Sequence, residues 1–310
     1  MTQVSFHWKH HDNAELWGSM NNWTTGHKLV SNAVTLKLNQ GTYEYKFKIG
    51  NQWCYDITKT TIVDASGNIN NVKIVESENI ITIVHISDTH SLYYDTLPDG
   101  DILVHTGDFS IGGHFSEYEI FNEWLDKFDH KIKLIVLGNH DLDYYTEKNI
   151  DPLSEANVKL KNARVLNHKD GITNISGINF YAREWYHAHQ WDYRAKPNHP
   201  IKKNIYDIPS NKNVDVLLTH GPARGFLDIF DSGSQELLQQ INITKPKLHL
   251  FGHIHCKNGI DVLEYNDKTK TIFVNSSSVC EDGSKIVNEP TVIKYDTIKN
   301  CVVSVNGCMY

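Results

Sequence analysis

Five short, nearly continuous apolar runs limit what this chain can fold into more than any other feature. They are IITIVHI (80–86), DILVHT (101–106), KIKLIVL (131–137), VDVLLT (214–219) and KLHLF (247–251). Runs without polar alternation read as strands covered on both faces, as in the parallel sheet of an α/β domain. Each run is followed at once by polar groups able to bind metal. The first leads into SDTH, with Asp88 and His90, and the second into GDFS, with Asp108. The third leads into GNHD, with Asn139 and His140, and the fourth into HGP, with His220. The last ends at GHIH, with His253 and His255. Open α/β sheets bind ligands at the carboxyl ends of their strands, so five loops are expected to converge on one site.

Helical patterns lie between some of these runs. In 115–128 the spacing of Tyr118, Phe121, Trp124, Leu125 and Phe128 puts them on one helical face. A second helix is expected over 232–241, opened by a serine cap. Residues 4–75 follow a different pattern. VTLKL (34–38) and YEYKFKI (43–49) alternate with period two, and Gly and Asn punctuate them, so this part is expected to be an all-β sandwich without helices. ESEN (76–79) is the polar break, giving domains over 1–77 and 80–310. The first domain holds Trp8, Trp17, Trp23 and Trp53; Trp8 and Trp17 are expected in its core, the others nearer the surface.

Hydrophobic content of 40% and charged content of 22% describe a globular protein. The five cysteines show no CxxC spacing, and the N-terminus MTQVSFHWKHHD has no apolar signal region. No apolar run reaches the roughly 18–20 residues needed to span a bilayer, so no membrane partner is expected and the cytoplasm is the default compartment. Residues 1–77 carry seven lysines against six acidic residues, and the remainder carries 23 basic against 31 acidic. Neither part has the basic balance of a duplex nucleic-acid binder.

The candidate ligands Asp88, His90, Asp108, Asn139, His220, His253 and His255 offer carboxylate, imidazole and amide oxygen donors, with no thiolate. Such a mixed set suits two divalent ions of Mn, Fe or Zn type. Two ions about 3.5–4 Å apart clamp a phosphoryl group and activate water. His85, His105 and His249 lie inside the apolar runs and read as packed, hydrogen-bonded histidines instead. YAREWYHAHQW (181–191) is a candidate roof over the site, with Arg183 as a possible phosphate contact, or an ordinary aromatic surface loop.

The ordered series DxH, GD, GNHD, H and GHxH resembles the signature of calcineurin-like metallophosphoesterases. SDTHS (87–91), GDILVHTGDFS (100–110), FNEWL (121–125), LTHGPARGF (218–226) and KPKLHLFGHIH (245–255) are most similar to the MPPED-type, or class III-like, phosphodiesterases. The resemblance implies an α/β/β/α sandwich with the site at the strand ends. It implies one ion on Asp88, His90 and His255, another on Asn139, His220 and His253, and Asp108 between them. It also implies that His140 protonates the leaving oxygen or stabilises the phosphate. Some relatives carry glycine where this chain has His253.

WGSMNNW (17–23), TYEYKFKIGNQW (42–53) and GNINNVKIV (67–75) resemble the glycogen-binding module of the AMP-activated protein kinase β subunit, carbohydrate-binding module family 48. That module is an immunoglobulin-like β-sandwich. Trp23, Lys46, Trp53 and Asn70 match its sugar-contacting positions, while Ser66 and Asn68 depart from its leucine and threonine. Together the two resemblances imply a dinuclear-metal phosphodiesterase, cyclic-nucleotide enzymes included, or phosphatase, held at glycogen or starch-like glucan. A glucan-binding scaffold around a weak or inactive esterase domain is the alternative.

Overall fold

The computed structural model describes residues 1–8, 13–75, 79–148, 152–184, 208–210 and 213–310. The chain divides into two compact units, Met1–Ile80 and Ile81–Tyr310.

In the first unit, strands Thr2–His7 and Ala33–Leu38 form an antiparallel pair. A second sheet runs in the order His27–Lys28, Glu15–Gly18, Gly41–Ile49, Ile69–Val75, Thr61–Val63, with Gln52–Cys54 also paired to Gly41–Ile49. The two period-two runs are therefore strands, and they lie in different sheets, with the chain crossing at residues 39–40. One hydrophobic cluster draws on both: Val4, Phe6 and Leu38 from the pair, Leu16, Tyr45 and Phe47 from the larger sheet, with Trp8. Among the described residues this unit has no α-helix, only a 3-10 turn at Ser19–Asn21. Trp8 is in the core, as expected, but Trp17 is half-exposed. The register explains why. In Glu15–Gly18, Leu16 and Gly18 are buried, so the alternating pleat turns Glu15 and Trp17 to the other face.

Among the described residues, the second unit contains two mixed sheets. The first has seven strands in the order Arg164–Val165, Ile132–Ile135, Ile102–His105, Ile80–Ile86, Thr291–Asp296, Cys301–Val305, Cys308–Met309. The second has six: Thr173–Ile175, Ile178–Arg183, Val216–Thr219, Leu248–Phe251, Lys270–Asn275, Gly259–Glu264. All five apolar runs are strands, three adjacent and parallel in the first sheet, two adjacent and parallel in the second. Their lack of alternation has a direct cause, since both faces are covered. Ile83, Ile102, Val104 and Leu134 meet Phe180, Val216, Leu218, Leu250 and Val274 of the other sheet in one buried cluster. The opposite face of the first sheet, with Val84, Ile86, Leu103 and Ile135, packs on Tyr118, Phe121, Trp124 and Leu125. The opposite face of the second sheet, with Leu217, Phe251 and Phe273, packs on Leu237 and Ile241.

Those last residues belong to the expected helices, which run Phe115–Leu125 and Gln235–Thr244. The second is capped by Ser234, whose Oγ accepts from Leu237 N at 3.1 Å. Two further helices, Asn139–Lys148 and Pro152–Lys159, carry too weak an apolar face to stand out in the sequence, and the first begins inside the GNHD motif.

Candidate metal centre

The seven expected ligands come from the carboxyl ends of the five strands. Asp88 and His90 follow Ile80–Ile86, Asp108 follows Ile102–His105, and Asn139 opens the helix after Ile132–Ile135. His220 follows Val216–Thr219, and His253 and His255 follow Leu248–Phe251. Six of them, with His140, fall into three groups whose ligand atoms lie within 4.8 Å of one another: Asp88, His90 and His255; His90, Asp108 and His140; Asp108, His220 and His253. Asp108 is common to two groups. His220 Nε2 stands 3.1 Å from Asp108 Oδ2, and His255 Nε2 stands 3.5 Å from Asp88 Oδ1 and 3.1 Å from His90 Nε2. Asn139 presents its Oδ1 as a buried acceptor, and among the described residues no hydrogen bond reaches it.

The backbone is bent hard to make this cluster. Asp88, His90, Asp108 and His253 all adopt positive φ, which non-glycine residues rarely do. Two glycines act by leaving room for the carboxylates. A Cβ at Gly252 would lie 2.0 Å from Asp88 Oδ2, and one at Gly138 would lie 2.2 Å from Asp108 Oδ1. Nearby groups then fix the ligands. His253 N donates to both Asp88 oxygens, at 3.0 and 2.9 Å, and Ser277 Oγ donates to Asp88 Oδ2 at 2.9 Å. His220 Nδ1 donates to the Thr106 carbonyl at 2.8 Å, leaving Nε2 directed at Asp108.

Asp141, in the GNHD motif but without an expected role, is fully buried. It accepts from Asp108 N, Gly138 N, Ser110 N and Ser110 Oγ, all within 3.0 Å. It ties two ligand loops together. Burial, then the charge of Asp108, pushes its carboxyl up to about 7. Ser277 and Glu117 were equally unmarked in the sequence. Glu117 accepts from Ser91 Oγ and from the backbone of Ile111, Gly112 and His114. The Ile111 carbonyl in turn accepts His140 Nδ1–H at 2.7 Å, so Glu117 braces the loop that sets the His140 ring.

The electrostatics pair acid with base. Burial alone would raise Asp88 and Asp108, but His255 beside Asp88 and His220 beside Asp108 hold both well below the usual carboxylate range. Burial would lower His220; the Asp108 charge outweighs it and lifts His220 to about 9. His85, His105 and His249 differ. Each is fully buried inside its strand and burial pushes it down to about 3. Each meets a threonine hydroxyl, Thr106, Thr89 and Thr219 respectively, so these three are packed neutral histidines.

Arg183 ends strand Ile178–Arg183, opposite Thr219 in the parallel register and thus one residue from His220. Tyr181 is buried in the core of the second sheet. The rest of the suggested roof, 185–191, lies outside the described residues, as do residues 76–78 of the polar break.

On the first unit, Trp53 is 48% exposed, and Trp23 and Lys46 are half-buried. Trp53 stands edge-on to both Trp17 and Trp23, with ring centroids 5.7 and 6.3 Å away. Asn70 is only 3% exposed, and its Nδ2 donates to Glu44 Oε2 at 2.7 Å.

A fold of two covered sheets with acid, imidazole and amide donors at the strand ends defines a metallophosphoesterase class. Residues 81–257 match the family model of the calcineurin-like phosphoesterases, and the chain belongs to that family. Residues 2–81 match the model for the glycogen recognition site of AMP-activated protein kinase. Among its relatives is a UPF0046 protein of Caenorhabditis elegans, 31% identical over 242 residues, covering 74% of this chain and 80% of that one. Metallophosphoesterase domain-containing protein 1 of Homo sapiens is 33% identical over 241 residues, covering 70% and 72%, and the Mus musculus protein of that name matches to the same extent.

Proposed function

We propose that the chain is a dinuclear-metal phosphoester hydrolase, a phosphodiesterase or phosphatase, brought to glycogen-like glucan by its N-terminal module. The observation that carries the catalytic half is the sharing of Asp108 between ligand groups on either side, which suits a carboxylate between two ions. The donor set also fits. Asn139 holds a buried oxygen that no hydrogen bond satisfies among the described residues, and such an acceptor is costly unless a cation or donor meets it. In this reading Asp88, His90 and His255 hold one ion, Asn139, His220 and His253 the other, and Asp108 both. When bound, two divalent ions of Mn, Fe or Zn type neutralise charge on a phosphoryl group and activate water.

The chain's own groups orient and move protons. With His140 Nδ1 donating to Ile111, Nε2 is the free ring nitrogen, which takes up a proton and can then pass it to the departing oxygen. We read Arg183, whose strand end lies beside that of His220, as the contact to a phosphate oxygen. Phosphodiesters, cyclic nucleotides included, and phosphate monoesters on protein or glucan are the expected substrates. We read the second unit as an α/β/β/α sandwich, because its clusters bury each sheet against the other and against helices. We read the first, domain 1–77, as an immunoglobulin-like sandwich, with Trp23, Lys46, Trp53 and Asn70 as its sugar contacts. Indoles stack on the C–H faces of sugars, and Trp53, 48% exposed, offers such a face.

The test is turnover of bis-p-nitrophenyl phosphate. Asp108→Ala and His220→Ala should each lower it by more than about a hundredfold, and EDTA should abolish it reversibly. Activity that survives both EDTA and Asp108→Ala would refute the metal mechanism.

A further inference from the structure

The face that carries Trp53 and Lys46 also holds a cation with no direct ion-pair partner among the described residues. Strand Gly41–Ile49 pairs Lys46 with Trp17 and Lys48 with both Glu15 and Trp53. Leu16 and Phe47, with no exposure, fill the other face, so Glu15, Trp17, Lys46, Lys48 and Trp53 share the outer one. Lys48 Nζ lies 5.2 Å from the ring centroid of Trp17 and 5.2 Å from that of Trp53. Two π faces hold the ammonium in place and strip part of its water. Trp17 is itself fixed, since its Nε1 donates to Glu15 Oε2 at 3.1 Å. The backbone of Gly26 also lies so close that a Cβ there would be 2.3 Å from that nitrogen. Glu15, the acid nearest Lys48 in register, thus directs its carboxylate to the indole. Among the described residues no hydrogen bond or ion pair takes any of the three Lys48 donors.

A fixed, partly desolvated ammonium that makes no direct ion pair, its nearest acid being engaged by an indole, is matched by an anion, and plain glucan carries none. We propose that Lys48 is a phosphate-binding residue within the sugar face, and that the module selects phosphate-bearing α-glucan over unmodified glucan. Indoles take the sugar ring, which every glucan has, while Lys48 takes the phosphate dianion through charge-assisted hydrogen bonds that a neutral hydroxyl cannot equal. The inference rests on the glucan reading above and adds the substrate class. A phosphoesterase with such a module would be carried to esters on the glucan itself.

The experiment is calorimetric titration of the full chain, treated with EDTA so that no ester is hydrolysed. The probes are maltoheptaose, monophosphorylated maltoheptaose and inorganic phosphate. The phosphorylated sugar should bind about fivefold more tightly than the plain one, a gain in keeping with a half-buried ion pair. Lys48→Met, which retains an unbranched stem against the indoles, should bring that ratio to about one, and Lys48→Arg should keep it. Inorganic phosphate at the same concentration should not displace maltoheptaose. Equal affinities in the unmodified protein, or a preference that persists in Lys48→Met, would overturn the inference while leaving glucan binding intact. Displacement by inorganic phosphate would overturn it too, by revealing an anion site independent of sugar. Failure of the unmodified protein to bind either sugar would instead refute the glucan reading, and this inference with it.

Discussion

His253 does two separable things. Its imidazole groups with Asp108 and His220, while its backbone N–H grips both oxygens of Asp88, which groups with His90 and His255. Glycine at this position keeps the N–H and removes the imidazole; it also relieves a φ of 69°, which glycine tolerates freely. His253→Gly should therefore empty one metal position and spare the other. Metal analysis after loading should fall from about two ions per chain toward one. Equal loss from both positions would show that the ligands are divided wrongly. This separation was not visible in GHIH itself. The sequence places two histidines after a strand, but which carboxylate their backbone meets depends on a loop 165 residues upstream.

At the scale of strand ends, the glycines set how closely neighbouring loops approach. Gly252 sits where the loop after Leu248–Phe251 crosses the loop after Ile80–Ile86, with no space for a methyl group beside Asp88 Oδ2 and Ser87 Oγ. Gly252→Ala should push the two loops apart, lowering stability by about 1–3 kcal/mol as overpacking does. It should lower activity far more, because Asp88 moves. Urea unfolding read beside turnover checks this; a variant with full activity would show that the crossing is looser than the contacts imply. Much at this scale was legible. Covered strands announce themselves as unbroken apolar runs, and ligands directly at their ends need no long-range information. Asp141 shows what was not. Its four donors come from residues 108, 110 and 138, loops brought together only by the parallel pairing of strands. Trp17 was misplaced for a related reason, since a four-residue strand is too short for composition to reveal its inner face.

Among the described residues of the second unit, the fully buried histidines of the strands make stability depend on pH. His85, His105 and His249 sit near 3 in the folded protein against an ordinary 6.5. A lowered histidine contributes stability above its unfolded value, and that stability is lost as pH falls from 6.5 toward 3, because the unfolded chain takes up protons the folded one refuses. Each can contribute a slope of up to about 1.4 kcal/mol per pH unit. Asp141 opposes them, since at about 7 it binds its proton in the folded state before the unfolded chain does, which removes one slope of similar size between pH 4 and 7. His220, raised to about 9, acts on the other side: its contribution is present below pH 6.5 and lost as pH rises through 9. The metal-free chain should thus be most stable close to pH 7. It should weaken on both sides of that pH, and more steeply on the acid side, where more groups take up protons on unfolding. Urea denaturation of the EDTA-treated protein at pH 5, 6, 7 and 8.5 measures both limbs. Adding divalent metal should remove the alkaline limb, because a coordinating imidazole is already neutral. An alkaline limb unchanged by metal would mean that His220 keeps its proton and is not a ligand.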